Sequence, residues 1–279
     1  MIDEIIKLAF KEDYGSGDHS SNSSVPENAT GKAQLLVKDE GIIAGVELAE
    51  KILHHHDSNL VLTTHIKDGE KVKYGDIVLE IEGKSRSILA TERLMLNFMQ
   101  RMSGIATKTN EFVEIIKNTD SKLLDTRKTT PALRAFEKWA VRIGGGHNHR
   151  MGLYDMIMIK DNHIDYAGGI KNAIENANRY IKEKNLDIKI EIEVRDAKEL
   201  KEVLEIGNVQ RIMLDNFSPE QIKALLPTIP KEFETEASGN INKENILSYA
   251  ETGVNFISSG ALTHSYKSLD LSLKANFNA

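Results

Sequence analysis

The sequence predicts an α/β protein built around an incomplete, open α/β barrel. Two observations predict the barrel. After Lys122 short apolar runs recur with helical segments between them, the pattern of repeated βα units on a parallel sheet. Each run also ends in polar or charged residues, and the catalytic groups of parallel barrels collect at the C-terminal rim of the strands. A third observation sets the first hundred residues apart: they are rich in strands and turns and lack that rhythm. Six clear strands fall short of a closed eightfold barrel, and a doubly wound sheet is the alternative architecture.

In chain order, AQLLVKD, GIIAGVELAEKIL and VLTTHIKDGEKVKYGDIVLEIEG are separated by Gly, Asp and Asn, with a helix predicted over 42–53. KDGEKVKYGDIVLEIEG is similar to the hairpins of biotinyl and lipoyl carrier domains. It has no lysine in the tight turn that such domains modify, so it reads as a structural barrel-sandwich element. From Thr91 the pattern becomes helical: Leu94, Phe98, Ile105, Phe112 and Ile115 recur at helical intervals, with a break expected at Ser103-Gly104. The barrel strands follow as LLDTRK (123–128), MIMIKDNH (156–163), IKIEIEVRD (188–196), RIMLDNF (211–217), FETEASGN (233–240) and FISSGAL (256–262). Between them lie GIKNAIENANRYIKEK, DAKELKEVLEIG, PEQIKALLPTI and KENILSYAETG, which read as helices. No low-complexity linker and no sequence repeat interrupts the chain.

Composition narrows the function. At 279 residues, with 28% charged and 40% hydrophobic residues, the chain is that of an ordinary globular protein able to bury a large core. Its apolar runs are short and broken by charge, and MIDEIIKLAFKED mixes acids into its apolar face, so neither a membrane anchor nor a secretory signal is expected and a cytoplasmic location is. The absence of cysteine excludes disulfides, thiolate metal sites and a cysteine nucleophile. A net charge of -6 argues against a nucleic-acid partner, so any anion site has to be local.

Period-two alternation shows where charge goes. In IKIEIEV, Ile188, Ile190, Ile192 and Val194 share the face that meets the outer helices, which turns Lys189, Glu191 and Glu193 into the barrel. Glu234, Glu236 and Ser238 join them from FETEAS, and Arg211, Met213 and Asp215 from RIMLD. Interior charge is costly unless paired or bound to a ligand. Glu191 and Glu234, deeper in the barrel, can belong to a self-satisfied Lys/Arg–Glu network; Glu193 and Asp215, at its mouth, are the functional candidates.

The cations concentrate in one segment. From Asp125 to His163 there are seven Lys or Arg (127, 128, 134, 138, 142, 150, 160) against four acids (125, 137, 155, 161). Arg134, Lys138 and Arg142 have the spacing of a solvated helix face, whereas Arg127, Lys128, Arg150 and Lys160 sit at strand ends or beside glycines, where guanidinium and ammonium groups can grip carboxylate and phosphate. The glycines of GGGHNHR (144–150) let the backbone turn so that His-Asn-His-Arg is aimed inward. His147 and His149 lack a third ligand at metal spacing, and His54, His55 and His56 read as the cationic end of a surface helix.

These residues resemble a known family. DTRKTTPALRAFEKWAVRIGGGHNHRMGLYDMIMIKDNHI is similar to the signature of quinolinate phosphoribosyltransferases, and EDYGSGD, TERLMLNFMQRMSGIAT, EIEV, MLDNF, YAETGVNFISSGALTHS and LDLSLK extend the likeness over nearly the whole chain. The resemblance implies an N-terminal α/β sandwich domain (1–107) joined by the C-terminal tail (268–279), and an incomplete α/β barrel (108–267) that carries the active site. It implies transfer of phosphoribose from phosphoribosyl pyrophosphate to quinolinate with decarboxylation, using Mg2+, in a homodimer with shared active sites. Arg127, His149, Arg150 and Lys160 would then surround quinolinate, with Arg93 supplied by the neighbouring subunit. Lys128 and Lys160 would serve the pyrophosphate, and Glu193 and Asp215 the ribose hydroxyls and hydrated Mg2+. Ser238, Gly239 and Gly260 would hold the 5′-phosphate, with His264 at the same rim. Three places depart from the family pattern: His19 in GDHSS, Ala132 where glycine is usual, and EASGN, with Ala237 and Asn240, in place of Ser-Ser-Gly-Gly. A related molybdenum-transport accessory family shares DTRK and GGG-x-x-HR but tends to lack the Lys-Asp-Asn combination that this chain has in IKDNH. A non-catalytic barrel binding phosphorylated metabolites would not need Glu193 and Asp215.

Overall fold

The structure, a computed structural model, describes residues 1–276. It forms α1 (Ile2–Tyr14), α2 (His19–Ser24), β1 (Thr30–Val37), β2 (Gly41–Ile42), α3 (Val46–His56), β3 (Val61–Thr64), β4 (Lys71–Val72), β5 (Ile77–Lys84) and the long α4 (Ser85–Ile116). There follow β6 (Lys122–Leu124), α5 (Arg134–Ile143), β7 (Ile157–Ile159), α6 (Asp161–Ala167), α7 (Ile170–Lys184), β8 (Ile190–Val194) and α8 (Ala197–Ile206). The last elements are β9 (Arg211–Asp215), α9 (Pro219–Leu225), β10 (Glu234–Ser238), α10 (Ile246–Ala250), β11 (Phe256–Ser258), α11 (Ala261–His264) and β12 (Leu271–Asn276). Two compact units result. One takes Met1–Asn110, Thr130–Gly145 and the chain from Ser265; the other takes Glu111–Thr129 and Gly146–His264.

The first unit is an antiparallel sheet in the order β12-β1-β5-β3, with β2 and β4 paired separately. Alternation on β1 buries Ala33, Leu35 and Val37, and Leu35 lies opposite Leu273 on one side and Leu79 on the other. β12 thus brings the tail back to β1; residues 277–279 of the expected tail lie outside the described residues. The helix expected over 42–53 begins four residues late because Ile42 is used in β2, opposite Lys71, and the carboxylate of Asp68 then caps the N–H groups of Val46 and Glu47. His54, His55 and His56 close α3, with Phe10 stacked on the last two at 5.4 and 5.6 Å.

α4 runs unbroken through Ser103-Gly104, contrary to expectation. The Ser103 hydroxyl donates to the Ala44 carbonyl (3.1 Å) and accepts the Ala44 N–H (2.9 Å), and a Cβ on Gly104 would lie 2.3 Å from the Lys267 carbonyl. The small residues mark close backbone approach.

The segment 130–145, expected in the barrel, belongs to this first unit. Its α5 packs on α4: Phe136 meets Phe98 at 4.7 Å, and the buried Glu137 accepts from Arg101 Nε at 3.1 Å. Lys138 is 1% exposed, so the solvated face expected for Arg134, Lys138 and Arg142 is interrupted there by packing.

The second unit is a six-stranded parallel sheet in the order β6-β11-β10-β9-β8-β7. From β7 to β11 the spatial order follows the chain, with β6 beside β11. That is a barrel progression, without the reversal of a doubly wound sheet. Among the described residues β6 and β7 are not paired with each other, so the barrel stays open. The segment after Gly145 (φ +91°) runs along the free side of β6, where His147 N–H donates to Leu123 O at 2.8 Å and Asp125 N–H to His147 O at 3.1 Å. Ile190, Ile192, Val194, Ile212, Leu214 and Ile257 form the buried apolar side of the strands.

Ala132 has φ +66°, a left-handed conformation in which a Cβ costs roughly 1–2 kcal/mol. Ala132→Gly is expected to raise stability by about 0.5–1 kcal/mol net of the added unfolded-state freedom, measured as an increase in Tm; a fall in Tm would show that the local strain is absorbed elsewhere.

Candidate active site

The C-terminal ends of the parallel strands open into a cavity of about 860 Å³. Every residue that the family resemblance assigns to the site lines it except Arg93, which is exposed on α4 in the first unit. The strands are shorter than their sequence runs, so most of the chemical groups stand on the loops just past the strand ends.

One part of the wall is cationic. The Arg150 guanidinium donates to the Met156 carbonyl at 3.1 Å, and its pKa is lowered, first by burial and then by the charge of Arg127. A half-buried guanidinium that feels the charge of a second, exposed one on the same cavity wall suits an anion. Lys160 reaches across to form a short ion pair with Glu193, whose side chain is mostly buried. Lys128 and His264 converge over Gly260, where an added Cβ would come within 2.9 Å of Lys128 Cδ and 3.0 Å of His264 Nε2.

The facing carboxylates are Glu193 on β8 and Asp215 on β9. Asp215 is oriented through both oxygens: Ser238 Oγ donates to Oδ1 at 2.7 Å and Asn216 Nδ2 to Oδ2 at 2.6 Å. Asn216 holds φ +58° and approaches Gly239 so closely that a Cβ there would lie 2.2 Å from Asn216 Oδ1. Ser238 therefore spends its hydroxyl on Asp215.

Beneath the cavity, charges that the alternation turned inward meet His149. Glu191 and Glu236 are fully buried, with Oε2 atoms 3.0 and 3.4 Å from His149 Nε2. Arg211 forks from Glu236 (3.2 Å) to Glu234 (3.0 Å), and Glu234 also meets Lys189 at 3.1 Å. The network reading holds for Glu234; Glu191 lies at ion-pair distance from His149 and Arg211, but neither of its carboxylate oxygens accepts a hydrogen bond among the described residues. The other ring nitrogen, Nδ1, accepts the Arg150 backbone N–H at 2.7 Å, and the His149 N–H donates to the buried Asp125 carboxylate at 2.8 Å. Burial pulls the imidazole down, but the two carboxylates outweigh it and raise it to about 9. Burial and the charge of Glu236 push Glu191 up to about 7. Both shifts express one extra proton held by the pair. With Nδ1 engaged by the Arg150 N–H, that proton stays on the Nε2–Glu191 side.

Against this geometry stand the likenesses to known proteins. Residues 18–103 match the quinolinate phosphoribosyl transferase N-terminal domain and residues 105–274 the C-terminal domain of the same family. The chain belongs to the quinolinate phosphoribosyltransferase family. It is 46% identical to the chloroplastic nicotinate-nucleotide pyrophosphorylase [carboxylating] of Arabidopsis thaliana over 97% of this chain and 81% of that protein. It is 41% identical to a probable nicotinate-nucleotide pyrophosphorylase [carboxylating] of Bacillus subtilis over 98% of this chain and 93% of that one. A crystal structure of NadC from Streptococcus pyogenes, 41% identical, superposes with a TM-score of 0.93 over 98% of this chain and 95% of that one.

Within this quinolinate phosphoribosyltransferase frame the departures acquire a physical reading. Asn240 has φ +51°, a backbone state natural to glycine and next best tolerated by asparagine. Its amide also donates to Asn216 Oδ1 at 3.4 Å. Ala237 is wholly buried on the apolar side of β10, away from the polar alternation of Glu236 and Ser238. Sequence reasoning missed the clamps: Asn216 on Asp215, and Asp125 on the His149 backbone. The adjacent Asp-Asn of MLDNF was their one visible signal.

A group whose folded pKa is raised stabilises the fold below its unfolded pKa and loses that contribution as pH rises through the folded value. The His149 imidazole is therefore expected to make Tm decline between about pH 6.5 and about pH 9. His149→Gln should flatten that part of the profile; an unchanged slope in the variant would assign the decline to other groups.

Proposed function

We propose that this cavity joins quinolinate to phosphoribosyl pyrophosphate, releasing pyrophosphate and carbon dioxide and giving nicotinate mononucleotide for NAD biosynthesis. One observation carries the reading: within a single cavity of an acidic chain, Arg127, Lys128, Arg150 and Lys160 stand against Glu193 and Asp215. Quinolinate is a dicarboxylate and its partner carries a phosphate and a pyrophosphate, so both substrates need cations. The developing ribosyl cation needs carboxylates.

Arg127 and Arg150 take the quinolinate carboxylates through paired hydrogen bonds, with His149 behind them and Lys160 at the side. Lys128 and Lys160 neutralise the departing pyrophosphate. The loops at Ser238-Gly239 and Gly260, with His264, receive the 5′-phosphate. Glu193 and Asp215 fit Mg2+ as hard oxygen donors that leave room for waters and substrate oxygens; the bound ion would help neutralise the pyrophosphate. Glu193 and Asp215 also face the ribose, where their charge stabilises the cation-like carbon as the bond to pyrophosphate breaks. The pyridine nitrogen attacks that carbon and becomes positive. That charge stabilises the electron pair that the breaking C–carboxylate bond leaves on the adjacent ring carbon, so carbon dioxide leaves without a dedicated base and the carbon then takes a proton from water.

Arg93, exposed on α4, serves the site of a neighbouring subunit in a homodimer. Among the described residues no helix is long and apolar enough to cross a membrane, and small charged substrates suit the cytoplasm expected from composition.

Incubation with quinolinate, phosphoribosyl pyrophosphate and Mg2+ is expected to yield carbon dioxide and nicotinate mononucleotide in equal amounts, with no product from nicotinate or nicotinamide. Arg127→Ala and Arg150→Ala should each raise KM for quinolinate about 10–100-fold, the loss of one charge-assisted contact. Absence of turnover by folded wild-type protein would reject the reaction. Mixing and re-equilibrating inactive Arg93→Ala and Lys128→Ala proteins should restore about a quarter of wild-type activity if the site is shared across a twofold dimer; no recovery would place Arg93 outside the partner's site.

A further inference from the structure

Arg211 and Glu236 line no part of the cavity, yet they lead to it without a gap. Arg211 on β9 lies in register with Glu191 on β8 and with Glu234 on β10, so the parallel sheet itself sets the spacing of the three charges. Its guanidinium rests on the Phe256 ring at 4.0 Å and forks to Glu234 and Glu236. Glu236 passes the contact to His149 Nε2, and His149 Nδ1 accepts the Arg150 backbone N–H. The path therefore ends on the backbone of a residue that carries a guanidinium into the cavity.

We propose that Arg211 and Glu236 are positioning residues for the quinolinate end of the site, acting through His149 on the placement of Arg150. The inference rests on the proposed reaction for its kinetic readout but not for its spectroscopic one. Three features separate this from a generic buried ion pair. The His149 ring is approached from opposite sides: Nδ1 accepts the Arg150 N–H, and Nε2 lies at ion-pair distance from the Oε2 atoms of Glu191 and Glu236. The His149 backbone is fixed as well, through Asp125. And Arg211 stands between the two buried carboxylates of Glu191 and Glu236, with Glu234 paired outward to Lys189. His149, Glu191 and Glu236 are close enough together to grip a cation, but Arg211, 3.2 Å from Glu236 and 4.0 Å from Glu191, already supplies the positive charge.

The test is Glu236→Gln, which keeps the shape and removes the charge, measured in the full-length protein with Glu234→Gln as a control on the outer branch of Arg211. Glu236→Gln is expected to raise KM for quinolinate about tenfold, while KM for phosphoribosyl pyrophosphate and kcat stay within about twofold. The ¹⁵N signals of the His149 ring should show the proton on Nε2 in the wild type and shift in the variant. Glu234→Gln should leave both readouts near wild type. Unchanged ring signals, an unchanged quinolinate KM, or equal rises for both substrates would overturn the proposal and leave a purely structural cluster. If Glu236→Gln does not fold, Arg211→Lys, which keeps the charge but cannot fork between two carboxylates, is read by the same criteria. Should the wild type fail to turn over quinolinate, the reaction falls while the ring signals still decide this inference.

Discussion

Charged side chains on the inward face of a parallel sheet have to be neutralised before the sheet can wrap around them, because the alternative is an unpaired charge in a low-dielectric interior costing several kcal/mol. In this protein Glu191, Glu236 and Arg211 occupy that face at neighbouring register positions, and the strand pairing alone brings them within ion-pair distance. One positive charge against two carboxylates is not enough, and His149 completes the set from outside the sheet. The rest of the second unit follows from that need. The segment carrying His149 must reach the barrel interior, which explains why it lies along β6 and why Asp125 is buried to hold it.

Moving toward the mouth, the same alternation places Glu193 one step beyond Glu191 and Asp215 two steps beyond Arg211, where both line the cavity. Their partners change character accordingly. Deep in the barrel the contacts are charge to charge and closed; at the mouth Asp215 is held by a hydroxyl and an amide, which orient the carboxylate without cancelling its charge. Glu193 is paired with Lys160, whose ammonium is itself partly exposed at the cavity wall. The gradient from neutralised floor to charged rim is what lets one barrel be both stable and reactive.

Much of this was legible in the sequence because it depends on periods. The six strands, the intervening helices and the inward set of charges follow from counting by two and by three or four, and the open barrel follows from the number of runs. What stayed hidden depends on partners distant in sequence. Ser103-Gly104 looks like a break until Ala44 and Lys267 are placed against it, and Lys138 looks solvated until α5 is seen packing on α4 through Phe136 and Glu137. His149 could be assigned to the cavity from its neighbours, but its attachment to Glu191 and Glu236 could not, since no local pattern links residues so far apart. The clamps on Asp215 were half visible: Asn216 adjoins it in the chain, while Ser238 reaches it only through strand pairing.

GGGHNHR joins these considerations. An open barrel leaves an edge on β6 whose backbone groups need partners. His147 pairs with that edge, and two residues later the chain turns His149 into the charged interior, so that Arg150 follows on the cavity side. Glycine at 145 supplies the turn that starts this path. Covering the edge, neutralising the floor and presenting a guanidinium to the cavity are thus successive consequences of one short backbone course. A change that shifted its register by a single residue would disturb all three together.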